Sequence, residues 1–425
     1  MFLVKKRFLN AIDIKEFEIM IPLRLRNILM GLRTERWMQA LLQVGSIYIV
    51  GGTVRDAFRD EDIKDIDLVV EKLSMAQIKD LLKPYGRVDE VGEFFAVIKF
   101  RPRGHEGEDF DIAIPRVDIK TGEGHKDFKV KTKDISLEED LFRRDFTINS
   151  IAVNIETDEI VDPFYGVGDI KRKRINATDT EAFAEDPLRI LRGIGFSARF
   201  GYDITPETLD LMKEYAPRIK NISGERIFGE LMKVLNKKGD TQKALDLIHQ
   251  TDVDKALFDK KMLHYDKGLN YLDPTSFFYV LGLLGDVDPG DFIRNRLKGD
   301  AILEKNVRML NNLFTLLPRM QDEEELKYML SKAFTAAPDI MDVVIFPKEV
   351  DDIILQMRLG KIPNNIKDVA IDGDDIKTIS RYKEGPEIGF ILEKILRDAL
   401  ANKFNWKDKD ESLVYLTKVL TDMHS

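Results

Sequence analysis

Along the first third of the chain, short β-branched stretches alternate apolar with polar positions, and turns or helical stretches separate them. Ile47 to Val50, Ile66 to Val70, Ala96 to Phe100, Phe110 to Ile114 and Ser150 to Asn154 each have the period of two expected of a strand with two different faces. Strands mixed with helices over residues 47–162 predict an α/β unit of the kind that carries catalytic residues on strand ends. Beyond about Ile175 the pattern changes. Leucine-rich helical periodicity runs almost to the end of the chain and is interrupted at Gly201, Gly224, Gly239, Pro274, Pro289, Pro338 and Pro363. Residues 1–45 read as a helical extension. The class is α+β, a strand-bearing part followed by an all-helical one, with no fixed-period repeat and no low-complexity tract.

Composition narrows what such a chain can do. A length of 425 residues exceeds one typical core and predicts two to four structural units. With 44% hydrophobic and 33% charged residues the chain is in the globular range, and no apolar run approaches the roughly 20 residues of a membrane span. No secretory apolar region follows Met1 to Phe8, so a cytoplasmic location is expected. The absence of cysteine excludes thiol nucleophiles and cysteine-ligated zinc. His105, His125, His249, His264 and His424 lack ligand spacing, so any metal site must be built from carboxylates, which select hard ions such as Mg2+. A net charge of −9 argues against indiscriminate polyanion binding but permits a local basic groove.

Candidate chemistry is concentrated in five short stretches. The strand ending at Val50 runs into Gly51, Gly52, Arg55 and Asp56, where missing side chains let backbone N–H groups approach a phosphate; an ordinary turn has the same signature. In Asp65-Ile66-Asp67 the strand period puts both carboxylates on one face. Such a pair repels itself unless it shares a cation, and two metals about 3.5–4 Å apart can activate a hydroxyl and stabilise a leaving pyrophosphate. Asp111 alternates with apolar residues in the same way and needs a partner if its strand is buried, unless it lies on an edge strand. Arg143, Arg144, Asp145 and Asn149 offer guanidiniums for a triphosphate and hydrogen bonds for a ribose, or else a helix-surface ion network. In Glu185-Asp186-Pro187-Leu188-Arg189, with Arg192 beyond, Asp186 and Arg189 are three apart at a helix start. They form a capped ion pair or a base reader. As a reader, a carboxylate and a guanidinium match the amine-beside-acceptor edge of cytosine and adenine, and leave unpaired groups against uracil and guanine.

The ordered set GGTVRD, DID, FDIAIPR, RRDFTIN, DPFYGVGDI, AEDPLRILR and SGERIFGELMKVL resembles the class II CCA-adding enzymes and the related bacterial poly(A) polymerases. The resemblance covers residues 46–416 and is weakest over 238–284. It implies a polymerase beta-like nucleotidyltransferase head with a small mixed sheet, followed by an all-helical neck, body and tail. The corresponding boundaries are an extension at 1–45, head at 46–175, neck at 176–237, body at 238–345 and tail at 346–425. It further implies Mg2+ as cofactor, CTP and ATP as substrates and tRNA as partner. By motif, Asp65 and Asp67 would hold metal, with Asp111 as third acidic residue. Gly51, Gly52, Arg55, Asp56, Arg143, Arg144, Asp145 and Asn149 would line triphosphate and ribose. Glu185, Asp186, Arg189 and Arg192 would form the base-reading group. Arg116 and the segment from Lys120 to Phe128 correspond to the region that helps the family change from C to A addition. Two positions depart from the pattern, Gly195 where arginine is usual and Ser150 where alanine is usual.

Within that resemblance, the acidic and apolar Gly92 to Val97 lacks the basic cluster of a poly(A) polymerase, and the long segment from Val117 to Ile135 disfavours a CC-only enzyme. Full CCA addition is the expectation, with an A-only enzyme open. No histidine-aspartate phosphohydrolase motif accompanies the body. The reading from a different class is a non-catalytic tRNA-binding protein, against which Asp65, Asp67 and Asp111 stand.

Overall fold

The computed structural model describes residues 19–423, except 64, 91–96, 108, 121–127, 133, 237–238, 266–267, 321, 345, 381 and 383. The chain forms two compact units, one of residues 1–189 with 203–211, the other of residues 190–202 with 212–425.

The first unit is built on strands β1 (Ser46–Val50), β2 (Asp67–Glu71), β3 (Gly86–Glu90), β4 (Val97–Pro102), β5 (Phe110–Ala113), β6 (Val117–Lys120), β7 (Phe128–Lys131), β8 (Ala152–Asn154), β9 (Ile160–Val161), β10 (Arg174–Ile175) and β11 (Asp203–Ile204). Seven of them make one sheet in the order β3-β4-β5-β2-β1-β8-β9. Only β2 and β5 pair in parallel, so the sheet is mixed, as expected. β6 and β7 pair with each other, and β10 pairs in parallel with β11. All five predicted strands are present. β3, the β6–β7 hairpin, β9, β10 and β11 were not predicted: β3 is half polar and shows no clean alternation, and β9 to β11 are too short to have a period. β11 is also a small correction to the all-helical reading beyond Ile175.

The helices of this part are α1 (Leu23–Thr34), α2 (Arg36–Leu42), α3 (Gly52–Phe58), α4 (Met75–Leu82), α5 (Leu137–Phe142), α6 (Gly166–Lys171), α7 (Thr180–Glu185), α8 (Leu188–Phe200) and α9 (Pro206–Tyr215). The described part of the N-terminal extension is helical, as expected, and it is core rather than appendage. Trp37 of α2 is 2% exposed, its ring 5.0 Å from both Phe100 of β4 and Phe110 of β5. Burying an indole between two rings stabilises by about 1.5–3 kcal/mol from area, plus some aromatic pairing. α6 explains the motif DPFYGVGDI. Both carboxylate oxygens of Asp162 accept from its first turn, at 2.7 Å from Gly166 N and 3.0 Å from Val167 N. A Cβ on Gly166 would lie 2.1 Å from the Thr147 carbonyl oxygen, so only glycine lets this helix approach the stretch behind the Arg143–Asp145 motif.

In the second unit, Gly224 begins the helix Gly224–Asn236, and a Cβ there would meet the Arg296 carbonyl oxygen at 2.2 Å. Arg296 in turn donates to the carbonyls of Ile219 and Ile222 at 3.2 and 3.4 Å. Near the C-terminus the helices Gly373–Ile379, Pro386–Leu400 and Lys409–Asp422 enclose an apolar core that includes Ile376, Ile391, Ile395, Trp406 and Leu416.

Candidate active site

β1 delivers the chain to the glycine pair. Gly51 has φ +66°, a conformation that strains any other residue, and its N–H donates to the Ile151 carbonyl at 3.1 Å. A Cβ on Gly51 would stand 2.6 Å from Nη1 of Arg144, and one on Gly52 would stand 3.4 Å from Nη2 of Arg55. The backbone angle thus calls for glycine at Gly51, and both glycines have a guanidinium beside them. The pair sets the Arg55 and Arg144 guanidiniums beside backbone that carries no side chain, an arrangement able to meet an anion.

The carboxylates meet across the one parallel pairing of the sheet. Asp67, first residue of β2, is the register partner of Asp111 on β5. Asp65 lies in the segment leading into β2, since the strand begins two residues later than the alternation suggests. The helix α3 holds this segment: Thr53 Oγ1 donates to the Asp65 carbonyl at 3.0 Å and accepts from the Asp67 N–H at 3.1 Å. Burial pushes the Asp67 carboxyl above its ordinary value and Asp111 and Asp65 push the same way, while Arg144 and Arg55 pull it down. Asp111 corrects both readings made of it. β5 is an interior strand between β4 and β2, not an edge, and the Asp111 side chain is 40% exposed, not buried. Its partner is Lys99, directly opposite on β4, whose Nζ donates to Oδ1 at 2.7 Å.

Behind the glycine pair lies a buried polar relay. Arg55 is gripped by Asp56 through two bonds of 2.8 Å, and Arg59 adds a third to the same carboxylate at 3.2 Å. Both Asp56 oxygens are thus occupied by guanidiniums, and Asp56 orients Arg55. Arg55 Nη1 donates to Asn149 Oδ1 at 2.6 Å, and Asn149 Nδ2 donates to Asp145 Oδ1 at 2.8 Å. Asp145 and Asn149 are 7% and 6% exposed, so what they make here is an internal network rather than an open ribose shelf. Arg143 and Arg144 both bond Asp140, a carboxylate the sequence reading passed over; the backbone N–H of Arg116 reaches it as well, at 3.3 Å.

The stretch from Glu185 to Arg192 spans the end of α7 and the start of α8. Glu185 ends α7, and Asp186 caps α8 by accepting from Leu188 N at 3.1 Å. Arg189 is half-buried, and burial lowers the pKa of its guanidinium. It donates through Nη2 to the Arg143 carbonyl at 2.5 Å and through Nη1 to the Arg144 carbonyl at 3.4 Å. Arg189 is therefore braced on the backbone of Arg143 and Arg144, which no sequence spacing suggested. Arg192 falls in the second unit, with its guanidinium 5.4 Å from the Phe196 ring centre. Gly195 is buried, and a Cβ there would make ordinary contact with Val234 at 3.6 Å. The backbone of Arg116 is described, but residues 121–127 of the C-to-A segment and 92–96 of the acidic stretch lie outside the described residues; β6 and β7 flank the former.

The donor set fits a hard divalent ion. Asp65, Asp67 and Asp111 offer only oxygen, and the charges of Asp111 and Asp65 add to burial in raising Asp67. Among the described residues no three His, Cys, Asp or Glu side chains form a complete cage. That suits an ion bound by one or two carboxylates and completed by substrate phosphates.

Residues 47–176 match the poly A polymerase head domain, and residues 201–265 match the probable RNA and SrmB-binding site of polymerase A. Among curated proteins, the chain is 38% identical over 198 residues to a multifunctional CCA protein of Aliivibrio salmonicida, which is 45% of this chain and 46% of the relative. It is 39% identical over 220 residues to one of Xanthomonas campestris pv. campestris, half of each chain. The matches thus span about half the length of those relatives. Solved structures are similar over nearly the whole chain at lower identity. An apo CCA-adding enzyme aligns over 93% of this chain and 96% of its own with TM-score 0.64 and 23% identity. The Thermotoga maritima CCA-adding enzyme complexed with tRNA aligns over 94% and 96% with TM-score 0.59 and 22% identity. The Bacillus stearothermophilus CCA-adding enzyme in complex with CTP aligns over 93% and 98% with TM-score 0.57 and 20% identity. Residues 47–176 are thus similar to the poly A polymerase head domain, and the chain as a whole has the fold of the solved CCA-adding enzymes.

Proposed function

We propose that this chain is a tRNA nucleotidyltransferase that adds CCA to tRNA 3′ ends from CTP and ATP without a nucleic-acid template. The observation that carries it is the in-register pairing of Asp67 with Asp111 beside a glycine pair lined by Arg55 and Arg144. A binding protein gains nothing from like charges held together next to a phosphate cradle. The relatives bearing the name multifunctional CCA protein support the same reading, as do similar structures of CCA-adding enzymes with CTP, with ATP and with tRNA.

In this reading the tRNA 3′-hydroxyl attacks the α-phosphate of the bound nucleotide, the new phosphodiester forms, and pyrophosphate leaves. Arg55 and Arg144 hold the triphosphate against the glycine pair, and Arg143 adds charge beside them. Asp65 and Asp67 would hold Mg2+, which when bound supplies electrostatic stabilisation of the charge that builds on the phosphate oxygens. Asp111, released from Lys99, accepts the hydroxyl proton. Asp186 and Arg189 select the base. Two of the five N–H donors of Arg189 are used on carbonyls, so three remain for a cytosine or adenine edge. Discrimination of a few kcal/mol follows, because a wrong base leaves those donors unmet. We assign the helical neck, body and tail, residues 176–237, 238–345 and 346–425, to holding tRNA, and the protein to the cytoplasm.

Transcripts ending before the first C, after the second C and after the final A, each offered CTP or ATP singly, test the proposal. Full CCA addition predicts C incorporation on the first, A on the second and nothing on the third. Exclusive A or exclusive CC incorporation would leave a partial adder, repeated A addition a poly(A) polymerase, and no incorporation with intact tRNA binding a non-catalytic binding protein.

A further inference from the structure

We propose that Asp140 is a positioning residue for nucleotide binding, the buried anion that holds Arg143 and Arg144 in one geometry against a triphosphate. The inference rests on the nucleotidyl-transfer reading and adds to it a residue that touches no substrate. Asp140 sits at the fourth position of α5, whose start is set by a capping box between Ser136 and Glu139, and it is 1% exposed. Its Oδ1 accepts from Nε and Nη2 of Arg143 at 3.0 and 2.8 Å, and its Oδ2 accepts from Nη2 of Arg144 at 3.1 Å. The Arg116 N–H adds a further bond to Oδ1. Burial opposes this charge, but the two guanidiniums outweigh it and hold the carboxyl below its usual range, so it is an anion wherever the protein is folded near neutral pH.

A surface ion pair would not need this arrangement. Both arginines are about one fifth exposed at the side chain, whereas the carboxylate that pins them is sealed. Each side chain therefore stays partly exposed while the carboxylate fixes one edge of it, and Arg144 also donates through Nη1 to the Asn149 carbonyl at 3.3 Å. For Arg144 that fixed position is the one 2.6 Å from where a Gly51 Cβ would stand. One buried charge thus aligns two cations whose mutual repulsion would otherwise splay them, and it does so before any nucleotide arrives. Positioning beforehand removes the ordering cost that two long side chains would add to binding. The same carboxylate also steadies the backbone carbonyls on which Arg189 rests, because those carbonyls belong to Arg143 and Arg144.

Asp140→Asn keeps the volume and removes the charge, and Asp140→Glu restores the charge on a longer stem. Affinities for CTP, for inorganic pyrophosphate and for tRNA, with a melting curve for each protein, read out the effect. The expected result is a folded D140N that loses about tenfold in affinity for both CTP and pyrophosphate, the scale of one charge-assisted bond, with tRNA affinity unchanged and partial recovery in D140E. A folded D140N that binds CTP and pyrophosphate as wild type does overturns the proposal. So does failure of both variants to fold, which would make Asp140 a structural anchor only. If wild type binds pyrophosphate but adds no nucleotide to tRNA, the transfer reading fails, and a loss of pyrophosphate affinity in D140N still supports the positioning role.

Discussion

Thr53 Oγ1 gives its one proton to the Asp65 carbonyl and takes the Asp67 amide on a lone pair, so one buried hydroxyl ties the glycine turn to both carboxylates. Thr53→Val keeps the shape and leaves both backbone groups unmet, which costs about 1–3 kcal/mol of stability. Displacing reacting groups by a fraction of an ångström lowers turnover more than binding, so T53V is expected to lose at least about tenfold in kcat with little change in nucleotide KM. T53S should retain most of it. Steady-state extension of a tRNA transcript makes the comparison, and a T53V enzyme with wild-type kcat would contradict the role. Thr53 was not legible in the sequence, because a threonine after two glycines has no pattern that marks it. Asp140 was closer to legible. It stands three and four residues before two arginines, a spacing that puts all three on one helical face, yet an acidic first turn is so common that it drew no notice. Lys99 carried the clearest missed signal. Ile98 and Phe100 are apolar and buried, so Lys99 had to face the other way, as Asp111 does between Phe110 and Ile112. Only the pairing of β4 with β5 turns those two alternations into one ion pair.

Among the elements, strands with strict alternation were read correctly to within one or two residues, and those without it were missed. The start of β2 at Asp67 moves Asp65 off the strand, a shift that periodicity could not register because Asp65 and Asp67 have the right spacing in either case. Register was beyond reach from sequence altogether. That Asp67 lies beside Asp111 depends on β5 being drawn into the middle of the sheet, in parallel with β2, by a connection that passes through β3 and β4. The helix α2 holds that part of the sheet from one side through Trp37. Trp37→Ala is expected to destabilise the protein by about 3–5 kcal/mol, the range for emptying a buried aromatic site. Chemical denaturation of the isolated variant measures it, and a loss below about 1 kcal/mol would mean that α2 is an appendage after all.

At the scale of the whole molecule, the change from strand to helix near residue 175 was legible because a strand period and a helix period cannot be confused over long stretches. The chain divides into two compact units, and the sequence offered no reason to place residues 203–211 with the first. Their assignment follows from the β10–β11 pairing and from Thr208, whose hydroxyl accepts from Ala177 N at 2.8 Å. In a chain with net charge −9, the first unit gathers guanidiniums around two glycines while keeping three carboxylates nearby, the arrangement that the proposed function needs. That opposition of charges is the claim on which the functional account stands.

Asp67→Ala is the most direct test, with nucleotide incorporation and tRNA affinity measured on the same preparation. The account predicts that incorporation of C and A is lost by at least about a thousandfold while tRNA still binds, since the carboxylates act on the transferring phosphate and not on the RNA body. Extension of tRNA by D67A at a rate near that of wild type would contradict it.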